Sequence, residues 1–149
     1  MKKLIYIIIL TLSLTNTSFS ASTSSGSSDS GYTKAYNLIK AAKKYEKKGK
    51  TEKAQKKYAK AQKLLLKYNK EKPLQADTLN YLGFTTRKLG DYKKGEEFYL
   101  EGLKIDPNHK GINEYLGELY VVTNRINLAK ERLEILKACD CEEFKELKE

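Results

Sequence analysis

The stretch that decides the fold is ADTLNYLGFTTRKLGDYKKGEEFYLEGLKIDP, which covers residues 76–107. Leu79 and Leu82 open a series of apolar residues whose spacing places them on one face of a helix. Gly90 interrupts that series, and a second amphipathic segment follows it. Pro107 ends the second segment, because proline cannot continue a helix and disfavours helical geometry in the residue before it. The stretch therefore predicts two helices joined by a tight turn.

The same spacing recurs downstream. Tyr115-Leu116-Gly117 stands 34 residues after Tyr81-Leu82-Gly83, and Ala129 stands 34 residues after Gly95. A period of 34 residues is the length of the tetratricopeptide repeat. Two copies of the pattern in phase indicate an internal repeat.

Residues 79–107 also carry the consensus of that repeat. Leu-x2-Leu-Gly from Leu79, Gly-x3-Tyr from Gly95 and the final Pro107 resemble the tetratricopeptide (TPR) pattern W-x2-L-G-x2-Y, A-x3-F, P. Over residues 75–147 the amino-acid sequence resembles those of exported, largely uncharacterised TPR proteins of proteobacteria.

A longer unit precedes these two. Gly49 and Tyr58 stand 41 residues before Gly90 and Tyr99. The extra seven residues are close to two helical turns and rotate a helix face by only about 20°. We therefore expect a lengthened second helix in this unit, running from residue 51 to about residue 69, with Thr51 available to cap it.

Together the spacing and the resemblance predict an all-α protein. The resemblance implies a right-handed α-solenoid of antiparallel helix pairs, with about three repeats and a C-terminal capping helix over the open end. The expected TPR-like domain covers residues 32–149, with units at 32–75, 76–109 and 110–138 and the cap at 139–149.

The N-terminus has the layout of a secretory signal peptide. Lys2 and Lys3 are followed by the apolar run 4–14 and by small residues near Ser20. We expect a signal peptide at residues 1–20, cleaved near Ser20, which predicts a periplasmic or secreted protein. The alternative is an uncleaved N-terminal membrane anchor, although the apolar run is shorter than the roughly 20 residues that span a bilayer. The Ser- and Gly-rich residues 21–31 are expected to form a disordered tether.

The charge is polarised along the chain. The net charge is +10, and residues 32–72 contain fifteen lysines and only three acidic residues. One interpretation is a solvated lysine-rich face. The other is a surface that binds something anionic, such as lipid head groups or an acidic polymer.

The resemblance implies where a partner binds. In TPR proteins the first helix of each pair lines a concave groove. Phe84 suits either an exposed peptide contact or a core position between helices. Among the residues left over on these helices once the core is assigned, those predicted to contact a partner are Lys43, Lys47, Asn80, Phe84, Arg87, Glu114 and Glu118. A paired Lys and Asn set for a C-terminal carboxylate is not found in phase.

Cys139 and Cys141 allow several interpretations. In an oxidising compartment they could form a disulfide within the chain or between chains. They could be half of a metal site, although two thiols are too few for closed zinc coordination. They could also be two small apolar residues at a helix end. A minor redox or metal role is therefore a third functional alternative.

The sequence predicts a non-enzymatic protein without a cofactor. It contains no G-x-S-x-G, H-E-x-x-H or phosphate-loop motif, and His109 is expected to be an exposed turn residue. We expect a scaffold or adaptor that binds a protein or peptide in the cell envelope, with binding to an anionic surface as the alternative. Nucleic acid is not expected as a partner, because no recognition motif is present and the N-terminal pattern predicts export.

Overall fold

The computed structural model describes the backbone of residues 25–149 and the side chains from residue 31 onward. Over this range the chain forms seven helices and no strand. None of these helices is both long and apolar enough to cross a membrane. The helices are α1 (Ser25–Glu46), α2 (Thr51–Glu71), α3 (Ala76–Lys88), α4 (Tyr92–Ile105), α5 (Lys110–Val122), α6 (Ile126–Leu136) and α7 (Glu142–Lys148).

The helices form three consecutive pairs. α1 packs on α2, α3 on α4, and α5 on α6, while α2 contacts α3 and α4 contacts α5 to join the pairs. The short α7 rests on α5 and α6. The predicted all-α stack of helix pairs with a terminal helix is therefore confirmed.

The N-terminal boundary differs from the prediction. The signal peptide expected at residues 1–20, and the first part of the expected tether, lie outside the described residues. α1 begins at Ser25, so residues 25–31 are helical and the tether prediction is wrong for them. Extending a helix that is already packed adds one hydrogen bond per residue fixed, without a new nucleation cost.

Equivalent positions of the repeats are buried alike. Leu82 and Leu116 are both fully buried, as are Tyr58 and Tyr99 in the second helices of the first two pairs. The small residues Ala54, Gly95 and Ala129, which stand at equivalent positions of the second helices, are also buried. The repeat read from the sequence thus corresponds to a repeat in space.

The three hairpin turns use the same backbone device. Gly49, Gly90 and Asn124 occupy equivalent positions and all have a positive φ, of 66°, 99° and 58°. Glycine adopts this left-handed conformation freely, and asparagine tolerates it better than most residues. The residue after each turn donates a backbone hydrogen bond to the carbonyl five positions earlier, for example Arg125 N to Tyr120 O at 2.7 Å. Such bonds satisfy the free carbonyls at a helix end.

The second helix of the first pair is longer, as expected. α2 has 21 residues and α4 has 14. The expected cap by Thr51 is absent, because α2 begins at Thr51 itself and the preceding Lys50 makes no side-chain cap. In α4, by contrast, Asp91 precedes the helix and accepts a hydrogen bond from Lys94 N at 2.9 Å.

We expect Gly83→Ala to destabilise the fold. A Cβ at Gly83 would lie 2.4 Å from the ring of Tyr99, which is fully buried. Overpacking of this kind costs about 1–3 kcal/mol, to be measured by urea denaturation. The control is Gly31→Ala in α1, where a Cβ meets nothing within 4 Å and helix propensity favours alanine by up to about 1 kcal/mol. Equal stability of the two variants would contradict this account of the packing.

Candidate functional site

A cleft of about 400 Å³ opens where α1, α3 and α5 meet the terminal helix α7. The first helices of the three pairs therefore all contribute to it, and α7 adds one wall. Its lining residues are Lys43, Glu46, Lys47, Phe84, Lys88, Glu114, Tyr115, Glu118, Glu142, Glu143 and Glu146.

The floor of the cleft is aromatic. The rings of Phe84 and Tyr115 lie 4.7 Å apart between centroids, and Phe84 also contacts Tyr58 edge-to-face at 5.7 Å. Phe84 is only 2% exposed. Of the two positions that the sequence allowed for it, the structure therefore shows the one in the core. Phe84 supports the cleft from below, and Tyr115 is the more accessible ring.

Lys43 covers this floor. Its ammonium nitrogen lies 4.8 Å from the centroid of Phe84 and 5.0 Å from that of Tyr115, and it donates a 2.9 Å hydrogen bond to the Tyr115 hydroxyl. A cation over an aromatic face contributes about 0.5–1 kcal/mol at an exposed site. These contacts hold the lysine against the floor.

The wall formed by α1 and α3 is basic. Lys88 pairs with Glu46 at 3.2 Å, and Glu46 also accepts a 2.7 Å hydrogen bond from the Tyr58 hydroxyl. Lys47 is exposed at the rim. The carboxylate of Glu46 is therefore paired with one cation and held by one hydroxyl donor.

The wall formed by α5 and α7 is acidic. Glu118 is paired with the buried Arg87. Glu114 is 8% exposed. Burial, and then the charge of Glu118, raise the pKa of Glu114 to about 8, although Lys43 acts in the opposite direction. At neutral pH the carboxyl group of Glu114 is thus mainly protonated.

The structure brings five of the seven predicted groove residues to this cleft, namely Lys43, Lys47, Phe84, Glu114 and Glu118. The other two lie elsewhere, which corrects the prediction. Arg87 is 8% exposed and bonds Glu118 from behind the wall, and Asn80 is 4% exposed and packs against Gly111 of α5. Both residues lie on the face of α3 that the third helix pair covers. They are therefore buried, and they hold the second and third pairs together.

Sequence reasoning missed six lining residues. Tyr115 follows Glu114 directly in sequence, so its position beside the groove could have been predicted from that of Glu114. Glu46 and Lys88 each stand next in sequence to a predicted groove residue, Glu46 before Lys47 and Lys88 after Arg87, so the helical spacing did not include them. The three glutamates of α7, at 142, 143 and 146, gave no signal, since the sequence does not tell where a terminal helix packs.

His109 has a structural position. Its Nδ1 accepts a 3.1 Å hydrogen bond from Ile112 N, which caps α5, and its Nε2 lies 3.1 Å from Asp77 of α3. The side chain is 15% exposed, so the prediction that His109 is an exposed turn residue is wrong. The imidazole nitrogen satisfies a free backbone N–H that the helix start leaves open.

Cys139 and Cys141 are joined by a disulfide in the turn between α6 and α7. The bond closes a loop directly before the helix that supplies the acidic wall. Within residues 25–149, no group of three or more His, Cys, Asp or Glu side chains is arranged to hold a metal ion.

No protein-family model matches the chain. A curated protein, the Sol locus transcriptional repressor of Clostridium acetobutylicum, is 44% identical over 50 residues, which make up 34% of this chain and 16% of that protein. The chain thus corresponds to a small part of that relative's length.

Solved structures are similar over most of the chain. PcrH in complex with the chaperone binding region of PopB has a TM-score of 0.64 at 17% identity, covering 85% of this chain and 92% of that one. The Yersinia enterocolitica type III secretion chaperone SycD with a peptide of the translocator YopD has a TM-score of 0.63 at 20% identity, covering 84% and 86%.

A TPR domain is among the similar structures. The first TPR of Spaghetti (RPAP3) bound to an HSP90 peptide has a TM-score of 0.56 at 18% identity, covering 78% of this chain and 92% of that one. These likenesses, together with the repeat in the sequence, show that the chain has the fold of the tetratricopeptide-repeat family.

Proposed function

We propose that the protein is a scaffold or adaptor that binds an extended segment of a partner protein in the cleft between α1, α3, α5 and α7. The observation that carries this proposal is the cleft itself, which has an aromatic floor and two walls of opposite charge. Similar structures, PcrH, SycD and RPAP3, hold peptide segments on the same fold, which supports a peptide as the ligand class.

The two walls suit the polar groups of a peptide. Tyr115 and the aliphatic stem of Lys43 offer apolar surface, since long charged side chains bury their methylene groups. Lys47 can donate to backbone carbonyls or acidic side chains of the segment. The acidic wall opposite it would fix the direction in which the segment lies, because complementary charge sets register more than affinity.

The test is to map where peptides bind. Peptides selected on the immobilised protein from a random 12-residue library are titrated into ¹⁵N-labelled protein. We expect saturable shifts of amide signals in the cleft-lining parts of α1, α3, α5 and α7. Shifts confined to α2 and α4, or no saturable binding, would remove the proposal.

A matched pair of substitutions sharpens that test. Lys47 lines the cleft, and its neighbour Lys48, which is also exposed, does not. Lys47→Ala should weaken binding about two- to fivefold, the size of an exposed polar contact of up to about 1 kcal/mol. Lys48→Ala should leave the dissociation constant unchanged.

We also propose that the protein acts in the cell envelope after removal of residues 1–20. The support is the N-terminal pattern of a signal peptide. Mass spectrometry of the protein from fractionated cells should find a mature N-terminus at Ala21, in the periplasm or the medium. A full-length chain in the membrane fraction would instead favour the N-terminal anchor.

A second candidate function is the binding of anionic lipid head groups by the first helix pair. The observation that favours it is a separate cleft of about 250 Å³ lined by Tyr45 and four lysines, Lys53, Lys56, Lys57 and Lys60. Of these, Lys56 pairs with Glu52 on the same helix. Lysines near an anionic membrane each contribute about 1 kcal/mol, and salt weakens this attraction.

Co-sedimentation with vesicles tests the second candidate. We expect binding to phosphatidylglycerol-containing vesicles at low salt, no binding to pure phosphatidylcholine, and release as salt is raised. Lys53→Gln/Lys57→Gln should lower the bound fraction more than the control Lys104→Gln/Lys130→Gln, which removes the same charge from exposed positions of α4 and α6. An equal loss in both variants would show net charge alone at work.

A further inference from the structure

We infer that the acidic wall of the cleft receives a cationic side chain of the bound segment, a lysine or an arginine, and that Glu114 is the residue that selects it. This inference rests on the proposed peptide-binding function. It adds the chemical class of the ligand and the residue that reads it.

The carrying observation is a buried carboxyl group with no partner. Glu114 is 92% buried and lines the cleft, and within residues 31–149 it takes part in no hydrogen bond or ion pair of its side chain. Buried polar side chains are nearly always paired. The Glu114 oxygens are not among the fully enclosed unpaired atoms, so they face the open cleft, where most of their hydration is lost and ionisation is costly. A group left in this condition at the surface of a cleft is complementary to a ligand that carries the missing donor.

The cations around Glu114 are already engaged. On α1, the ammonium group of Lys43 is held by the Tyr115 hydroxyl at 2.9 Å. On α3, Lys88 is paired with Glu46, and Arg87 is paired with Glu118 next to Glu114. Lys47 is exposed at the opposite rim. Lys43 thus acts on Glu114 through its charge, but among the described residues no ammonium or guanidinium group is bonded to the carboxyl group of Glu114.

The terminal helix makes the imbalance larger. Three glutamates of α7, Glu142, Glu143 and Glu146, line the same end of the cleft, and none of them has an ion-pair partner among the described residues. The charges of Glu143 and Glu146 act on Glu114 in the same direction as that of Glu118. The field at this end of the cleft is thus negative and attracts a cation.

An arginine or lysine side chain fits this arrangement for two reasons. Its charged head can reach a carboxyl group below the cleft surface while its backbone stays at the rim. The ring of Tyr115 lines the same cleft, and guanidinium and ammonium groups are favoured beside an aromatic face. The ligand cation then takes the place of the proton that Glu114 carries in the free protein.

This exchange makes binding depend on pH. In the free protein the pKa of Glu114 is about 8, and a bound cation lowers it. Binding below pH 8 must therefore release a proton, so affinity rises with pH up to about 8 and levels off above it. The charged groups that act on Glu114 are Glu118 on α5, Lys43 on α1, and Glu143 and Glu146 on α7. The titratable hydroxyls that interact with it belong to Tyr81 on α3, Tyr99 on α4 and Tyr115 on α5.

The experiment compares two synthetic libraries of 12-residue peptides that are identical except for a fixed central arginine or citrulline, its neutral isostere. Both are applied to the immobilised protein at pH 8.5 and at physiological salt. We expect the arginine library to be captured about fivefold more, as a charged contact of about 1 kcal/mol gives. The preference should shrink markedly at pH 6.5.

Two matched variants assign the effect. Glu114→Gln should bring the ratio of captured arginine to citrulline peptides close to one and remove its dependence on pH. Glu101→Gln, which removes the same charge from an exposed position on α4, should leave both unchanged. In calorimetry of a captured arginine peptide in two buffers of different ionisation enthalpy, the wild type should release a proton at pH 7 and Glu114→Gln should not.

The folding of the key variant can be checked independently. Because the folded-state pKa of Glu114 is raised from 4.5 to about 8, the unfolded chain loses this proton first, and stability falls as pH rises through that window. Glu114→Gln should therefore be at least as stable as the wild type at pH 8.5, by thermal unfolding.

Each other outcome has a defined meaning. Equal capture of the two libraries overturns the inference and leaves peptide binding intact, whereas capture of neither overturns both. Self-association of the wild type that Glu114→Gln abolishes, seen by sedimentation, would identify the lysine-rich surface of a second copy as the occupant and would also overturn the inference.

Discussion

The close approach of the two helices within a pair is the constraint on which the rest of the structure depends. In the second pair it is made by the fully buried ring of Tyr99, which lies against Gly83 where a methyl group would already clash. A Cβ at Gly95 would lie 3.1 Å from the carbonyl oxygen of Gly83 and 3.2 Å from the backbone nitrogen of Arg87, both in α3. Because one face of α3 packs against α4, its remaining faces are the ones that contact the neighbouring pairs and line the cleft.

The stacking of pairs explains why polar residues are buried at the groove face. Arg87 and Asn80 point between the second and third pairs, and the ion pair of Arg87 with Glu118 joins α3 to α5. Removing charges from water is costly unless they are paired, so this link holds the two pairs in one relative position. The walls of the cleft are built on that link, with Phe84 and Tyr115 between them.

The uneven charge of the chain acquires a spatial meaning in the fold. The lysine-rich first pair supplies the basic wall, and the acidic terminal helix α7, which follows the disulfide of Cys139 and Cys141, supplies the opposite one. Segments about 100 residues apart in sequence thus face each other across one cleft. Within it, Lys43, Glu46, Lys88 and Glu118 are paired or held against aromatic rings. Glu114 differs from the glutamates of α7 in that its side chain is buried, and its unpaired carboxyl group points to a ligand.

The sequence by itself determined the repeat. Its 34-residue period, the seven-residue extension of the first unit and the turn residues Gly49 and Gly90 specify helices and turns through local backbone chemistry, and each appears in the structure where the period places it. Only the tertiary structure decided which face of each helix stays open. Burial by a neighbouring pair and the folding of α7 onto α5 depend on contacts between residues that are distant in sequence. Such contacts leave no periodic pattern in the amino-acid sequence.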